Sequence, residues 1–324
     1  MKLATIRKLA QRIRENIKKV IVGKDEVIDQ LLIALIASGH VLLEDVPGTG
    51  KTLLAKSLAK SLDCNFNRVQ FTPDLLPSDL SGINFYNQKV GEFEFRPGPI
   101  FTNILLGDEI NRATPRTQSS LLECMEEGQV TVDGETRALD RPFMVVATQN
   151  PVETQGTFPL PEAQLDRFLI KINMGYPTSQ EGLEILKRFK EHNPLMDIKS
   201  VVTGDEIIEA QESYSKVFVS EDILQYIMKI VEMTRQNNDI VLGASPRGSQ
   251  ALLKAVQVCA ILKGRDYVSP DDVKEMVKPV LGHRIILRNI MGKREDQLGA
   301  VLDQILREVA VPSEEISNGV ENHQ

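Results

Sequence analysis

Residues 43–52 read Leu-Glu-Asp-Val-Pro-Gly-Thr-Gly-Lys-Thr, and no other segment limits so narrowly what the chain can fold into. They follow the apolar run Val41-Leu42-Leu43 and lead into a helical pattern over residues 53–60. A strand, a Gly-rich turn ending in Lys-Thr and a helix, in that order, are the layout of a phosphate-binding loop. Gly48 and Gly50 let backbone N–H groups converge on phosphate oxygens. Lys51 brings a point charge toward the β- and γ-phosphates, and the Thr52 hydroxyl suits Mg²⁺. The segment predicts a bound nucleoside triphosphate. The full pattern has Gly where this chain has Asp45, a departure whose meaning depends on the rest of the sequence.

The surrounding pattern predicts an α/β fold with a parallel sheet. Short β-rich runs at residues 41–43, 66–70, 104–106, 143–147 and 168–172 alternate with helical ones, and strands joined by helical crossovers run parallel with both faces covered. Beyond Tyr176-Pro177 helices with readable caps take over. Thr203 with Glu206 forms a capping box, Ser220 precedes an apolar-periodic run, and Ser245-Pro246 and Ser269-Pro270 place Pro at a first helical position. Gly264 can close the helix before the last of these. The reading is a core over residues 1–176, a helical domain over 177–312 and a flexible polar tail over 313–324. Two insertions project from the core. Residues 71–99 hold an expected hairpin across residues 87–91 and six of the sixteen Phe and Tyr residues in their neighbourhood (Phe71, Phe85, Tyr86, Phe93, Phe95, Phe101). Residues 130–137 form a second hairpin across Asp133-Gly134.

Composition narrows the function classes. A net charge of −7, from 38 basic and 45 acidic residues, argues against a surface built to embrace nucleic acid. Cys64, Cys124 and Cys259 stand far apart, so neither a disulfide framework nor a thiolate metal site is expected, and the reading is cytoplasmic. The basic first twenty residues place Leu3, Ile6, Leu9, Ile13, Ile17 and Val20 on one helical face, which marks a packed helix rather than a leader. The longest uncharged run, residues 30–43, is too short to span a bilayer. His40, His192, His283 and His323 are scattered, which leaves a zinc enzyme unsupported.

Further residues fit chemistry at the phosphate loop. The strand at residues 104–106 ends in Asp108-Glu109, and parallel strands expose their carboxyl ends on one edge. Asp108 can orient a Mg²⁺ shell there, while Glu109 can polarise a water attacking the γ-phosphate. The strand at residues 143–147 leads to Asn150 on the same edge, a neutral group able to donate and accept. Arg247 stands in the first turn of a helix, where acids are favoured, which makes sense if an anion lies in front of it.

Together, the segments Asp45-Val46-Pro47-Gly48-Thr49-Gly50-Lys51-Thr52, Asp108-Glu109-Ile110-Asn111-Arg112-Ala113, Gln149-Asn150-Pro151, residues 159–168 and Gly243-Ala244-Ser245-Pro246-Arg247 resemble the MoxR family of AAA+ ATPases. The resemblance runs over residues 21–288, and Asp45 in place of Gly becomes a mark of this family. It implies a P-loop NTPase αβα core followed by a smaller all-α lid. Val22 and Gly23 match the segment at adenine, while Pro47, Gly48, Thr49, Gly50, Lys51 and Thr52 match the phosphate loop. Thr52 and Asp108 match the Mg²⁺ residues, Glu109 the catalytic acid, Asn150 sensor 1 and Arg247 sensor 2 on the lid. Arg167 matches a finger reaching a neighbour's γ-phosphate, with Arg112 and Arg141 open as alternatives. The implied cofactors are ATP/ADP and Mg²⁺. The implied partners are further copies in a hexameric ring and a protein client of the von Willebrand factor A-domain kind, remodelled, matured or loaded with cofactor. A nucleotide-controlled switch with little turnover and a DNA-acting motor are the rival readings.

Overall fold

The computed structural model describes residues 1–44, 46, 48–150, 156–288 and 294–312. The expected flexible tail over 313–324 lies outside the described residues. The amphipathic start becomes α1 (Leu3–Lys18), which buries Ile6, Leu9, Ile13 and Ile17. After it come α2 (Asp25–Ile36), β1 (Val41–Glu44), α3 (Lys51–Ser61), β2 (Phe66–Gln70), α4 (Pro77–Ser81), β3 (Gly82–Asn87), β4 (Glu92–Pro97) and β5 (Ile104–Asp108). The core continues with α5 (Pro115–Glu127), β6 (Gln129–Val132), β7 (Glu135–Ala138), β8 (Met144–Gln149), α6 (Glu162–Leu165) and β9 (Ile170–Ile172).

All five expected strands form one sheet, in the order β2-β5-β8-β1-β9, and every neighbouring pair is parallel. Alternation along each strand divides its side chains between two faces. Val41, Leu43, Ile104, Leu106 and Val146 join the apolar cluster containing α1, α2 and α3. Leu42, Leu105, Val145 and Ala147 join the opposite cluster with α5. The first cluster runs on without interruption into the helices that follow the core, so both halves share one interior.

Strand β9 is shorter than the expected residues 168–172, and the reason is local. The Phe168 carbonyl accepts bonds from His283 Nε2 (2.9 Å) and Arg284 Nη2 (2.7 Å), and the Leu169 carbonyl accepts one from Arg284 Nη1 (3.2 Å). Carbonyls satisfied by buried side chains are withdrawn from the ladder.

Both expected hairpins are present. β3 pairs with β4 and β6 with β7, and the second turns through Asp133 (φ +51°) and Gly134 (φ +83°), the left-handed pair that a two-residue hairpin requires. The hairpins touch: Asn84 Nδ2 donates to Asp133 Oδ2 (2.9 Å), and the Arg137 guanidinium lies 4.0 Å over the Phe95 ring. The aromatic group divides between two roles. Phe71 is buried and Phe95 packs edge-on against Phe101, whereas Phe85, Tyr86 and Phe93 are exposed.

The second half holds α7 (Ser179–Phe189), α8 (Gly204–Ser213), α9 (Glu221–Gln236), β10 (Ile240–Leu242), α10 (Pro246–Leu262), α11 (Pro270–Leu281), β11 (Ile286–Leu287) and α12 (Arg294–Glu308). Thr203 and Glu206 cap α8 reciprocally, Ser220 caps α9 and Ser245 caps α10, as their spacing predicts. The antiparallel ribbon β10–β11 had no counterpart in the sequence reading. Among the described residues no helix is long and apolar enough to cross a membrane.

Candidate functional site

The loop after β1 meets the requirements of an anion cradle. Gly48 (φ +85°) and Gly50 (φ +97°) are left-handed, and a Cβ on Gly48 would meet nothing within 4 Å, so the cradle is open. Gly50 is the N-cap of α3 and offers no side-chain acceptor, which leaves the first N–H groups of that helix for a ligand. Thr49 Oγ1 (3.3 Å) and Lys51 Nζ (3.4 Å) both donate to the Val46 carbonyl, drawing the loop around itself. Thr52 follows on the first turn of α3, half-buried. Pro47, assigned to the loop from sequence, lies outside the described residues, as do Asp45 and Pro151.

Parallel register brings the acids to the same edge. Gln70 at the end of β2 lies opposite Asp108 at the end of β5, and Glu44 at the end of β1 lies opposite Gln149. Asp108 accepts bonds from Arg68 Nη2 (2.6 Å) and Thr148 Oγ1 (2.6 Å). The same Thr148 oxygen accepts the Glu109 amide (2.9 Å), so one hydroxyl fixes the positions of both acids. Glu109 adopts φ +57°, a strained left-handed conformation for a residue with a side chain. Its Oε2 accepts Gln70 Nε2 (2.9 Å) and pairs with Arg112 (3.0 Å). Asn150 follows β8 on this edge and is buried.

Val22-Gly23, expected at adenine, also lies near this edge. Gly23 (φ +67°) packs so closely that an added Cβ would fall 1.9 Å from Glu181 Oε1, and Lys24 Nζ donates to the Tyr176 carbonyl (3.3 Å). A Cβ on Gly50 would sit 3.9 Å from Met174 Cε. Val22, Gly23, the segment after β9 and the phosphate loop are therefore neighbours.

The arginines lie elsewhere. Arg167 precedes β9 and is at the amino end of the sheet, a strand's length from the phosphate loop, roughly 13 Å for four residues at 3.3 Å each. Arg247 is beside Arg167 and not beside its own loop: Glu126, at the end of α5, pairs with Arg167 Nε (3.0 Å) through Oε2 and with Arg247 Nη2 (2.5 Å) through Oε1. The anion expected in front of Arg247 is thus this carboxylate. Asp166 causes the placement, since it accepts Ser245 Oγ (2.8 Å) and Arg284 Nε (2.6 Å), which fastens the start of α10 to the residue before Arg167. Of the alternative fingers, Arg112 belongs to its own subunit's Glu109, and Arg141 pairs with Glu212 (3.5 Å) on the surface.

His40 locks this amino edge. Its Nε2–H donates to the Met125 carbonyl (2.9 Å) and its Nδ1 accepts the Val145 amide (2.9 Å), which requires the neutral ring. Burial pushes its pKa down to about 4, against the raising effect of the Met125 bond. With the folded pKa below the ordinary 6.5, stability is fully present above 6.5 and is lost as pH falls toward 4. An NMR titration should find the His40 ring neutral at pH 5.5; a ring titrating near 6.5 would contradict the bond pattern.

Sequence reasoning missed Thr148, Gln70, Arg68, Glu126, Asp166 and Arg284. Gln70 left a signal as a polar residue ending a strand on the functional edge, and Asp166 as part of the segment 159–168 beside Arg167.

Comparison with known proteins agrees with the fold. Residues 40–170 match the ATPase family associated with various cellular activities (AAA), and residues 232–306 match an AAA lid domain. The uncharacterized protein YeaC of Bacillus subtilis is 51% identical over 92% of this chain and 93% of its own. Chaperone MoxR1 of Mycobacterium tuberculosis is 41% identical over 92% of this chain and 81% of its own. A crystal structure of a candidate ATPase from Cytophaga hutchinsonii is 40% identical, with a TM-score of 0.87 and coverage of 96% of this chain and 97% of that one.

Proposed function

The chain belongs to the MoxR family of AAA+ ATPases, and from that premise we propose that it hydrolyses Mg-ATP at contacts between like subunits of a hexameric ring, and so remodels a protein client. One observation carries the reading. The phosphate loop, Asp108, Glu109 and Asn150 stand on the carboxyl edge of the sheet, while Arg167 and Arg247 stand together on the amino edge. A head-to-tail contact would join the two halves, and repeated with a rotation that closes it gives a ring.

In the joined site Lys51 and the amides of Gly48, Thr49 and Gly50 hold phosphate oxygens. Glu109 accepts a proton from the attacking water, and Asn150 orients that water or the γ-phosphate. Arg167 and Arg247 of the neighbour neutralise charge on the transferred group. Thr52 and Asp108 form an oxygen-only donor set, as a hard cation that keeps its waters and substrate phosphates requires, and they would hold Mg²⁺. Asp108 would do so while sharing its oxygens with Arg68 and Thr148. Val22 and Gly23 would border the adenine.

The exposed rings of the first hairpin, Tyr86 packed edge-on against Phe93 (5.3 Å) on one face and Phe85 on the other, offer apolar surface suited to gripping a client, one candidate being a von Willebrand factor A-domain protein. The switch reading draws on a specific contact as well: in a lone subunit Glu109 is engaged by Gln70 and Arg112. Phosphate release separates the two. Turnover per subunit should rise with protein concentration as rings form. A chain that binds ATP but releases almost no phosphate at any concentration, with or without client, is a switch.

A further inference from the structure

We propose that Glu126 is a positioning residue of the trans-acting half-site, gathering Arg167 and Arg247 into one two-guanidinium clamp for the neighbour's triphosphate. The inference rests on the reading that these arginines act on a neighbouring subunit.

Two guanidinium groups held close repel each other, and both side chains are long enough to splay apart. The Glu126 carboxylate meets one with each oxygen, at 3.0 and 2.5 Å, so the pair is convergent before any ligand arrives. It is itself held by two attachments. His40 fixes the carbonyl of the preceding Met125, and α5 runs back through the core to the segment carrying Glu109. Asp166 supplies the matching support for the arginine backbones through Ser245 and Arg284.

The assembly is accessible. Arg167, Glu126 and Arg247 side chains keep 28%, 35% and 47% of their surface exposed, and they border a cleft of about 230 Å³ that also receives Lys254, Arg284 and Asp166. Four cationic side chains against two carboxylates leave the cleft positive, as a receptor for a polyanion must be. The Arg167–Glu126 contact is an ion pair without aligned hydrogen-bond geometry, since Arg167 Nε is buried with no hydrogen-bond partner. Charge-assisted bonds to phosphate exceed such a contact, so the clamp can close on a phosphate without a large cost.

The test is turnover by Glu126→Ala and Glu126→Gln in the full chain, with melting temperature and assembly recorded beside it. At saturating ATP kcat should fall by about tenfold or more, with KM for ATP within about twofold, because ATP binds at an intact loop while the transition-state contacts are lost. Mixing either variant with Glu109→Gln subunits, whose amino edge is intact, should restore turnover. Full kcat in both Glu126 variants overturns the inference, and so does a loss that mixing does not restore while an Arg167→Ala loss is restored. Failure of Arg167→Ala to be restored by the same mixing overturns instead the trans reading beneath it.

Discussion

Glu109→Gln should abolish turnover while leaving ATP binding intact. Among the described residues Glu109 is the carboxylate at the phosphate edge whose place suits proton transfer from water, and losing such a base typically costs about 10²- to 10⁴-fold in rate. Asp108 is a poor substitute, because the Arg68 guanidinium paired with it favours its ionised, unprotonated form and it is the residue assigned to Mg²⁺. Gln at position 109 is nearly isosteric and leaves the phosphate loop untouched, so fluorescent ATP-analogue affinity should stay within about threefold of the parent chain. Phosphate release at more than about a tenth of the parent rate would remove Glu109 from the mechanism.

Arg167→Ala should cost a comparable amount for a different reason. An arginine delivered to the γ-phosphate is worth about 10³- to 10⁵-fold in related phosphoryl transfers. Arg167 stands a strand's length from its own loop, so on the proposed reading its effect is exerted on a neighbour. ATP affinity should be nearly unchanged and ATP-driven assembly weakened. Retention of full kcat would return the finger role to Arg141, which is also toward the amino edge, before β8.

The elements legible from sequence are those whose determinants are local. The continuous apolar runs Val41-Leu42-Leu43 and Ile104-Leu105-Leu106 mark strands because each strand buries both faces. Ser220, Ser245 and Thr203 mark helix starts because a cap needs only its own next turn. Phosphate-edge residues were legible for a similar reason, since parallel strands align their carboxyl ends whatever lies between them.

The arginine edge was not legible, although each arginine was singled out. Arg247 could be read as facing an anion, but which anion depends on how the helical half docks. That docking is decided by Arg284 reaching Asp166 across 118 residues. Glu126 left no mark because it belongs to an acidic run with Glu123 and Glu127, which looks like any solvated helix face. Thr148 sits inside a strand, and its role appears only when register sets it beside Asp108 and Glu109.

Completion of one subunit's phosphate loop by the next subunit's arginines is the contact on which the proposed function turns. It is tested most directly by mixing Arg167→Ala subunits with Glu109→Gln subunits, each inactive alone. At a contact where an Arg167→Ala subunit supplies the intact loop and Glu109, and a Glu109→Gln subunit supplies Arg167, the site is whole. Random equal mixing makes about one contact in four of this kind in a head-to-tail ring. The mixture should recover turnover approaching that share of the parent rate. A mixture that assembles yet stays as inactive as both of its parents would contradict it.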